Sequence, residues 1–241
     1  MRTVLVTRPE PGASKTSERL LGYGFSPLVL PLTQIVPVRV RRPSGKFDAV
    51  AATSANALRQ LPDRVMQLLL DLPCFVVGDA TAAIARARGF QTVTAGDGDG
   101  VSLAQTIMEE CCTGARILYL AGRVRAPEFE RTLRNAGIHH RTLQTYDTVS
   151  VTYTGEFLTK FFGQAAVDDC LLYSRRSAEA FLQLSTRADV AGLFKRTEVF
   201  CLSPRVADAL SGCEKALIHV AAKPDEDALF ALLQRVQHSV H

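Results

Sequence analysis

The chain has 241 residues, of which 47% are hydrophobic and 22% charged, and its formal net charge is +4. This composition is typical of a folded protein with one large domain or two small ones, and it argues against intrinsic disorder. The weak, dispersed positive charge argues against a nucleic-acid-binding protein, and no run of about 18 apolar residues predicts a membrane span.

Strands and helices alternate from the amino terminus onward. The segment VLVT at 4–7 predicts a strand, PGASKTSERLLGYG at 11–24 a helix that ends at Gly22 or Gly24, and PLVLPL at 27–32 a second strand. Because the amino-terminal segment lacks the pattern of a cleavable leader, we expect a cytoplasmic protein.

The same order returns in the second half of the chain. RILYLAG at 116–122 predicts a strand, PEFERTLRNAG at 127–137 a helix, and RTLQTY at 141–146 another strand. The two stretches match at one constant spacing, at Leu5 and Leu118, Leu20 and Leu133, Gly24 and Gly137, and Leu30 and Leu143.

A second kind of unit also occurs twice, at 47–107 and 167–233. Ser54 corresponds to Ser174 in these units, and Leu103 corresponds to Leu229. The chain therefore reads A–B–A′–B′, which predicts an internal duplication of α/β halves. Strand–helix alternation of this kind predicts parallel sheets covered by helices.

Two connections differ from the others. Residues 31–45 carry Pro31, Pro37 and Pro43 in an extended stretch, and residues 145–154 alternate threonines with apolar or aromatic side chains. We expect both to cross between two domains and to pair as a two-stranded hinge.

The cysteines and histidines form no ligand pattern. No CxxC pair occurs, which indicates reduced thiols rather than disulfides or a zinc site. His139 and His140 are adjacent, and His238 and His241 lie in a terminal tail. We therefore expect no metal. The cysteines are Cys74, Cys111, Cys112, Cys170, Cys201 and Cys213.

Serines follow two of the predicted strands, in AATSANAL around Ser54 and in LLYSRRSA around Ser174. A single serine at such a junction is most often only a helix N-cap. GDAT at 78–81 and SPRV at 203–206, with Ser203 as the cap, add two junctions. Parallel strands end at one sheet edge, and helix starts offer N–H groups to anions. We therefore expect a polyanionic small-molecule ligand in a cleft between the domains.

Arginines lie at the same junctions. Their planar fork donates two parallel hydrogen bonds and suits carboxylates or phosphates. Some instead pair with Glu10, Glu128 or Glu179, and we expect about half of the arginines to be structural. They are Arg8, Arg123, Arg125, Arg175, Arg176 and Arg205.

The glycine-rich segment AGDGDGV at 95–101 follows a strand and opens a helix, as a nucleotide-binding loop would. It lacks the GxGxxG spacing, so Asp99 is predicted to be an N-cap and no dinucleotide cofactor is expected. No GxSxG, Walker A or HExxH signature occurs, which favours catalysis by positioning and electrostatics. Tyr146 is the candidate proton donor, and packing within a sheet is an equally frequent role for such a tyrosine.

The ordered set VLVTRPEPGASKTSERL, FDAVAATSANAL, VVGDATAAIARARGF, RILYLAG, TLQTYDTV and YSRRSAEAF resembles the uroporphyrinogen-III synthase family over nearly the whole chain. The resemblance implies an α/β fold of two Rossmann-like (flavodoxin-like) parallel-sheet domains joined by a two-stranded linker. The first domain would comprise 1–34 and 152–241 and the second 38–145, with hinge segments at about 35–37 and 146–151.

That family cyclises hydroxymethylbilane, a linear tetrapyrrole polycarboxylate, to uroporphyrinogen III with inversion of ring D and loss of water. The resemblance implies a monomeric, cyclising hydro-lyase of heme biosynthesis that needs no cofactor and transiently contacts the preceding pathway enzyme. It marks Tyr146 as the proton donor and Thr53, Ser54, Gly78, Thr81 and Ser174 as ligand contacts. The expected substrate-binding set also includes Asn56, Arg8, Arg123, Arg175, Arg176, Ser203 and Arg205.

The chain departs from the family pattern at two junctions. SPRV replaces a GPTT-like run, so Arg205 and Val206 stand where the family has hydroxyl groups, and Arg175 stands where the family often has proline. Backbone N–H groups and Arg205 would then bind the substrate at the first junction. Two other functions remain open. One is a noncatalytic binder of an anionic small ligand. The other is a nucleotide-dependent oxidoreductase, which is less favoured because AGDGDGV lacks the spacing of a nucleotide-binding loop.

Overall fold

A computed structural model of the chain describes residues 1–96, 98–163, 165–210 and 217–238, with the backbone alone at 237 and 238. Cys213, His241 and the side chain of His238 therefore lie outside the described residues, as does Asp97 of the glycine-rich segment. None of the helices in the described chain combines the length and the apolar character that crossing a lipid bilayer requires.

Short strands and helices alternate along the chain. The strands are β1 (Thr3–Val6), β2 (Ser26–Val29), β3 (Thr33–Pro37), β4 (Ala49–Ala52), β5 (Cys74–Val77), β6 (Val93–Gly96), β7 (Arg116–Gly122), β8 (His139–Ser150), β9 (Asp169–Leu172), β10 (Glu198–Cys201) and β11 (Ile218–Val220). The α-helices are α1 (Gly12–Gly22), α2 (Ala55–Arg59), α3 (Asp63–Met66), α4 (Gly78–Ala87), α5 (Gly100–Glu110), α6 (Glu128–Asn135), α7 (Gly155–Phe162), α8 (Arg175–Ser185), α9 (Pro204–Ala207) and α10 (Glu226–His238). Short 3-10 helices lie at Ala191–Phe194 and Asp208–Leu210.

The chain divides into two units. Unit 1 comprises Met1–Gln34 and Val149–His241, and unit 2 comprises Ile35–Thr148. The chain passes from one unit to the other within β3 and within β8, which are neighbouring strands of the same sheet.

Unit 1 is built on a sheet with the strand order β2-β1-β9-β10-β11, in which neighbouring strands are parallel. Alternate residues of its strands enter two separate cores because successive side chains point to opposite faces. Leu5 packs with α7 and α8 on one face, whereas Val4 and Val6 pack with α1 and α10 on the other. The strands are therefore apolar on both faces, as buried parallel strands must be.

Unit 2 is built on a sheet with the order β3-β8-β7-β4-β5-β6, and the strands from β8 to β6 are parallel. Val50 and Ala52 face α2 and α4, whereas Ala49 and Ala51 face α5 and α6. The predicted fold class, an α/β protein with parallel sheets, is confirmed in both units.

The two sheets share one spatial order of corresponding strands. In unit 1, β2 and β1 precede β9, β10 and β11, and in unit 2 their predicted counterparts β8 and β7 precede β4, β5 and β6. This is the arrangement that a duplication would produce, and in unit 1 it is the 2-1-3-4-5 chain order of flavodoxin-like sheets. The duplication itself stays a prediction.

One predicted boundary differs from the structure. The sequence predicts a strand at 141–146 followed by a separate hinge segment at 146–151, whereas β8 runs unbroken from His139 to Ser150. Alternating β-branched residues such as Thr148 favour continued extension, so no turn separates the two segments.

Candidate functional site

The predicted junction residues lie where strands end at the carboxyl edges of the two sheets. In each sheet the chain order reverses between two central strands, β1 and β9 in unit 1 and β4 and β7 in unit 2. Open parallel sheets bind their ligands at such reversal points because the adjacent loops part there. We therefore describe the edge of each unit in turn.

In unit 2, Ser54 lies between β4 and α2 with an extended backbone, and its side chain accepts a hydrogen bond from the Asn56 N–H at 3.3 Å. This confirms the predicted N-cap. The side-chain oxygen of Asn56 in turn accepts from Arg59 Nη1 at 3.1 Å. The side chains of Ser54 and Asn56 thus organise the first turn of the helix, and both remain partly exposed.

Thr53 precedes this cap and points to the other face of the sheet. Its Oγ1 lies 2.7 Å from the hydroxyl of Tyr119, a residue of β7 that is only 1% exposed. Burial raises the pKa of the Tyr119 hydroxyl, and the hydrogen bond with Thr53 opposes that shift. Tyr119 therefore stays protonated at neutral pH and is available as a donor.

The next junction, between β5 and α4, begins at Gly78, whose φ of +70° is a conformation that favours glycine. Thr81 follows in the first turn of α4, as predicted, and is 7% exposed. Asp99 caps α5 by accepting hydrogen bonds from the N–H groups of Val101 and Ser102, which confirms its predicted role.

Tyr146 lies on β8 beside the end of β7, with its ring directly over Gly122. A Cβ atom at Gly122 would lie only 2.7 Å from Tyr146 Cζ and 3.0 Å from its hydroxyl oxygen. The backbone N–H of Arg123 donates to the Tyr146 carbonyl oxygen at 2.8 Å, and Arg123 Nη1 donates to Asp147 at 3.1 Å. The half-buried ring is thus placed by a glycine and by main-chain pairing.

Arg125, two residues after Arg123, is part of a polar cluster. Arg125 forms two hydrogen bonds with Glu130, at 3.2 and 3.0 Å, and the Thr142 hydroxyl donates to the same carboxylate. Although partial burial opposes it, hydrogen bonds from Arg125 and Thr142 lower the pKa of Glu130. Arg125 is therefore structural, with Glu130 as its partner in place of the suggested Glu128.

In unit 1, Ser174 lies between β9 and α8 and forms a capping box with Ser177. The Ser177 N–H donates to Ser174 Oγ at 3.1 Å, and the Ser174 N–H donates to Ser177 Oγ at 3.0 Å. This confirms the predicted N-cap. Arg175 pairs with Glu179 at 2.9 Å on the exposed helix surface, which is the structural alternative that the sequence offered.

The other predicted residues of this edge include Arg176, a half-buried residue of the first turn of α8. Ser203 occupies the N-cap position of α9 and Pro204 its first position, but the Ser203 side chain makes no capping hydrogen bond, so that part of the prediction is wrong. The N–H of Val206, at the third helical position, instead donates to the Ser203 carbonyl oxygen at 3.0 Å. Arg205 is exposed and forms no ion pair with another described residue.

Arg8 follows β1 and is turned toward the start of α10. Its guanidinium lies 4.2 Å from the ring centre of Tyr173 and donates to Glu226 at 3.0 Å. Thr16 and Tyr173 donate to the same carboxylate oxygen, each at 2.6 Å, and Arg19 donates to the second oxygen at 3.0 Å. Arg8 therefore binds the Glu226 carboxylate within unit 1 and does not pair with Glu10.

The carboxylate of Glu226 therefore lies beside the ends of β1 and β9, where the chain order of the sheet reverses. Although its own desolvation opposes it, hydrogen bonds from Thr16 and Tyr173 and the charges of Arg8 and Arg19 lower the pKa of Glu226. Burial, with the hydrogen bond to Glu226, raises the pKa of Tyr173. We call Arg8, Thr16, Arg19, Tyr173 and Glu226 the Glu226 cluster.

The structure brings Thr53, Ser54, Asn56, Gly78, Thr81, Arg123 and Tyr146 to the edge of unit 2, and Arg8, Ser174, Arg175, Arg176, Ser203 and Arg205 to the edge of unit 1. Tyr119, Gly122 and Glu226 were missed by the sequence analysis. RILYLAG contains the first two, but strand periodicity alone does not show which residues meet a partner at the edge.

Among the described residues, no group of three or more His, Cys, Asp or Glu side chains is placed to hold a metal ion. The described cysteines, Cys74, Cys111, Cys112, Cys170 and Cys201, form no disulfide with one another.

A sequence model of the family described as uroporphyrinogen-III synthase HemD matches residues 14–231 of the chain. The chain belongs to the uroporphyrinogen-III synthase family. A search of curated proteins found no match.

Solved structures of uroporphyrinogen-III synthases share the fold of this family member. The enzyme from Helicobacter pylori 26695 is 16% identical with a TM-score of 0.69, and the match covers 98% of this chain and 100% of that one. A mutant enzyme from the extremely thermophilic bacterium Thermus thermophilus is also 16% identical, with a TM-score of 0.52 and coverage of 100% and 99%.

Proposed function

We propose that this chain is a cyclising hydro-lyase that converts hydroxymethylbilane to uroporphyrinogen III with inversion of ring D and loss of water. Membership of the uroporphyrinogen-III synthase family over residues 14–231 is the observation that carries this proposal. The location in the cytoplasm and transient contact with the preceding pathway enzyme stay predictions.

The substrate carries acetate and propionate groups on every ring, and these need donors. In unit 2 the N–H groups at the starts of α2 and α4, with the hydroxyl group of Ser54, supply donors to carboxylates, and the hydroxyl group of Thr53 is a further donor to the substrate. In unit 1 the start of α8 and the exposed guanidinium of Arg205 do the same. We assign Arg8 an indirect part because its Nη1 donates to Glu226.

The reaction begins when the terminal hydroxyl of the substrate departs as water, and Tyr146 donates the proton that this departure requires. The loss leaves an azafulvene, and the substituted carbon of ring D attacks it to form a spirocyclic pyrrolenine. That intermediate fragments and recloses at the neighbouring ring position. A final deprotonation restores the pyrrole, and the proton returns to the Tyr146 oxygen.

Positioning of ring D decides the product, because direct closure of the same azafulvene gives isomer I. The contribution of the chain is therefore a fixed geometry rather than a nucleophile. Tyr146 fits this role because Gly122 beneath its ring and the pairing of Arg123 with its carbonyl oxygen fix its place.

The test is a coupled assay in which freshly generated hydroxymethylbilane is incubated with the protein and the oxidised porphyrins are separated into isomers I and III. We expect isomer III, against isomer I in the control without protein. Isomer I alone from folded protein would overturn the proposed function.

A further inference from the structure

The hydroxyl groups of Thr53 and Tyr119 border a cavity, and most of the residues that line it were not predicted as site residues. The cavity lies within unit 2, has a volume of about 410 Å³, and is lined by Thr53, Val77, Gly98, Tyr119, Phe129 and their neighbours. Its wall is largely apolar, and its polar side chains are the two hydroxyl groups and the carboxylates of Asp99 and Glu128.

Thr53 is fixed from two sides. Its methyl group lies against Gly100, where an added Cβ atom would be 3.7 Å from Thr53 Cγ2, and its oxygen lies 2.7 Å from the Tyr119 hydroxyl. A β-branched side chain has few rotamers, so these two contacts leave the Thr53 hydroxyl with one position.

The Tyr119 ring is fixed as well. It packs against Phe129 with the ring centres 4.5 Å apart, and its strand pairs with β4 so that Tyr119 lies opposite Ala51. Thr53 follows Ala51 by two residues and shares its face of the sheet. The contact of the two hydroxyls is therefore set by strand register and does not depend on a mobile loop.

The direction of this hydrogen bond follows from acidity. A phenol is a stronger donor and a weaker acceptor than an alcohol, so Tyr119 donates and the Thr53 oxygen accepts. The hydrogen of the Thr53 hydroxyl is then free to bond with a third group. Without the hydrogen bond from Tyr119, the Thr53 hydroxyl could rotate, and its hydrogen could point toward other acceptors.

We propose that Tyr119 is a positioning residue of the reaction, which commits the Thr53 hydroxyl to donate to an oxygen of the substrate. This inference rests on the proposed function. Asp99 and Glu128 also line the cavity, and their charge disfavours a carboxylate there. The uncharged hydroxyl of the substrate, which departs in the first step, is therefore the favoured acceptor.

The test compares Tyr119→Phe, Thr53→Val and the double variant in the isomer III assay. Each single change removes one hydroxyl at nearly constant shape. We expect Tyr119→Phe to lower kcat/KM by roughly two- to twelvefold, the equivalent of one hydrogen bond. The fall is expected in kcat. A rise in KM at constant kcat would contradict the departing hydroxyl as the acceptor.

The double variant separates positioning from packing. If Tyr119 acts through Thr53, Tyr119→Phe has no further effect once Thr53→Val is present, and Thr53→Ser retains most of the activity. Tyr153→Phe is the matched control, since its hydroxyl donates to the Pro31 carbonyl oxygen at 2.9 Å within unit 1. Melting temperatures establish that every variant is folded at the assay temperature.

Two outcomes would overturn the inference. Unchanged kinetics in Tyr119→Phe would show that Tyr119 has no role in the reaction. An effect of Tyr119→Phe that has the same size with and without the Thr53 hydroxyl would show that Tyr119 does not act through Thr53. Failure of the wild-type protein to form isomer III is a different result, because it removes the proposed function.

Discussion

The phenolic hydroxyl of Tyr146 is the one group at the edge of unit 2 to which we assign the proton of the departing hydroxyl. Tyr146→Phe removes this donor and retains the ring over Gly122, so we expect kcat to fall by on the order of 10²- to 10⁴-fold with the fold intact. Steady-state kinetics with circular dichroism measure both. Equal kcat values in the two proteins would show that another group supplies the proton.

The close approach of Gly122 to Tyr146 gives a second prediction for a single residue. In Gly122→Ala, the added methyl group would lie 2.7 Å from Tyr146 Cζ and must displace the ring. We expect isomer III formation to fall by on the order of 10- to 100-fold and the free energy of unfolding by about 1–3 kcal/mol.

Gly22→Ala is the control for Gly122→Ala, because nothing lies within 4 Å of a Cβ atom at Gly22. If Gly122→Ala retains full activity while its crystal structure shows a displaced Tyr146 ring, the placement of that ring is irrelevant to catalysis.

Caps were the residues that the sequence predicted best. Ser54, Asp99 and Ser174 each bond to N–H groups two or three residues away, so the signal is local. Ser203 occupies the predicted cap position without a capping hydrogen bond, so the local signal gives the position of a cap but not always its bond. The partners of Arg8 and Tyr119 could not be predicted, since they lie 218 and 66 residues away along the chain.

At the scale of elements, the Glu226 cluster joins the start of α10 to α1 and to the ends of β1 and β9. The Glu226 carboxylate receives hydrogen bonds from Arg8, Thr16, Arg19 and Tyr173. Three of the donors, Arg8, Thr16 and Arg19, are more than 200 residues away from Glu226 along the chain. The Glu226 cluster therefore fastens the last described helix to the first strand and helix of the same unit.

The lowered pKa of Glu226 makes this stabilisation pH-dependent. A carboxyl group with a lower pKa in the folded than in the unfolded protein stabilises the fold above its unfolded pKa. That stability is lost as pH falls below about 4.3, the ordinary value for glutamate, through the folded pKa. We expect Glu226→Gln to lose roughly 1–3 kcal/mol of unfolding free energy at pH 7 and to lack this acid dependence.

Urea unfolding of both proteins at several pH values measures the difference. Glu18→Gln is the control, because Glu18 is exposed on α1 and pairs with no other described residue. A difference between wild type and Glu226→Gln that stays constant down to the lowest pH would contradict the assignment of the acid dependence to Glu226.

The type and order of most elements followed from sequence periodicity, since apolar runs flanked by helix caps and glycines are local signals. The length of β8 could not be predicted from periodicity, because the same alternation fits a strand and an extended connection. The pairing of strands could be predicted only as parallel. Which of them are neighbours depends on contacts between distant segments.

At the scale of the whole molecule, unit 1 is discontinuous and unit 2 is continuous. Strands β1 and β2 come from residues 1–34, and β9, β10 and β11 come from residues 149–241. β1 lies between β2 and β9 in the sheet. Residues 149–241 alone would therefore leave one edge of β9 unpaired and remove α1 from one of the two cores.

This arrangement predicts different behaviour for two fragments. We expect residues 35–148 to unfold cooperatively on their own, since that fragment retains β4–β7 with both cores. We expect residues 149–241 to lack a cooperative transition. Thermal unfolding followed by circular dichroism measures both, and a sharp transition in the second fragment would contradict the role given to β1.

The discontinuity of unit 1 also sets an order of events during translation. Residues 1–34 leave the ribosome with β1 and β2, but the edge of β1 that pairs with β9 has no partner until residues 169–172 have been made. Unit 2 can fold meanwhile, because all of its strands are by then available. During that interval the nascent chain displays the unpaired edge of an apolar strand, the kind of segment that chaperones protect.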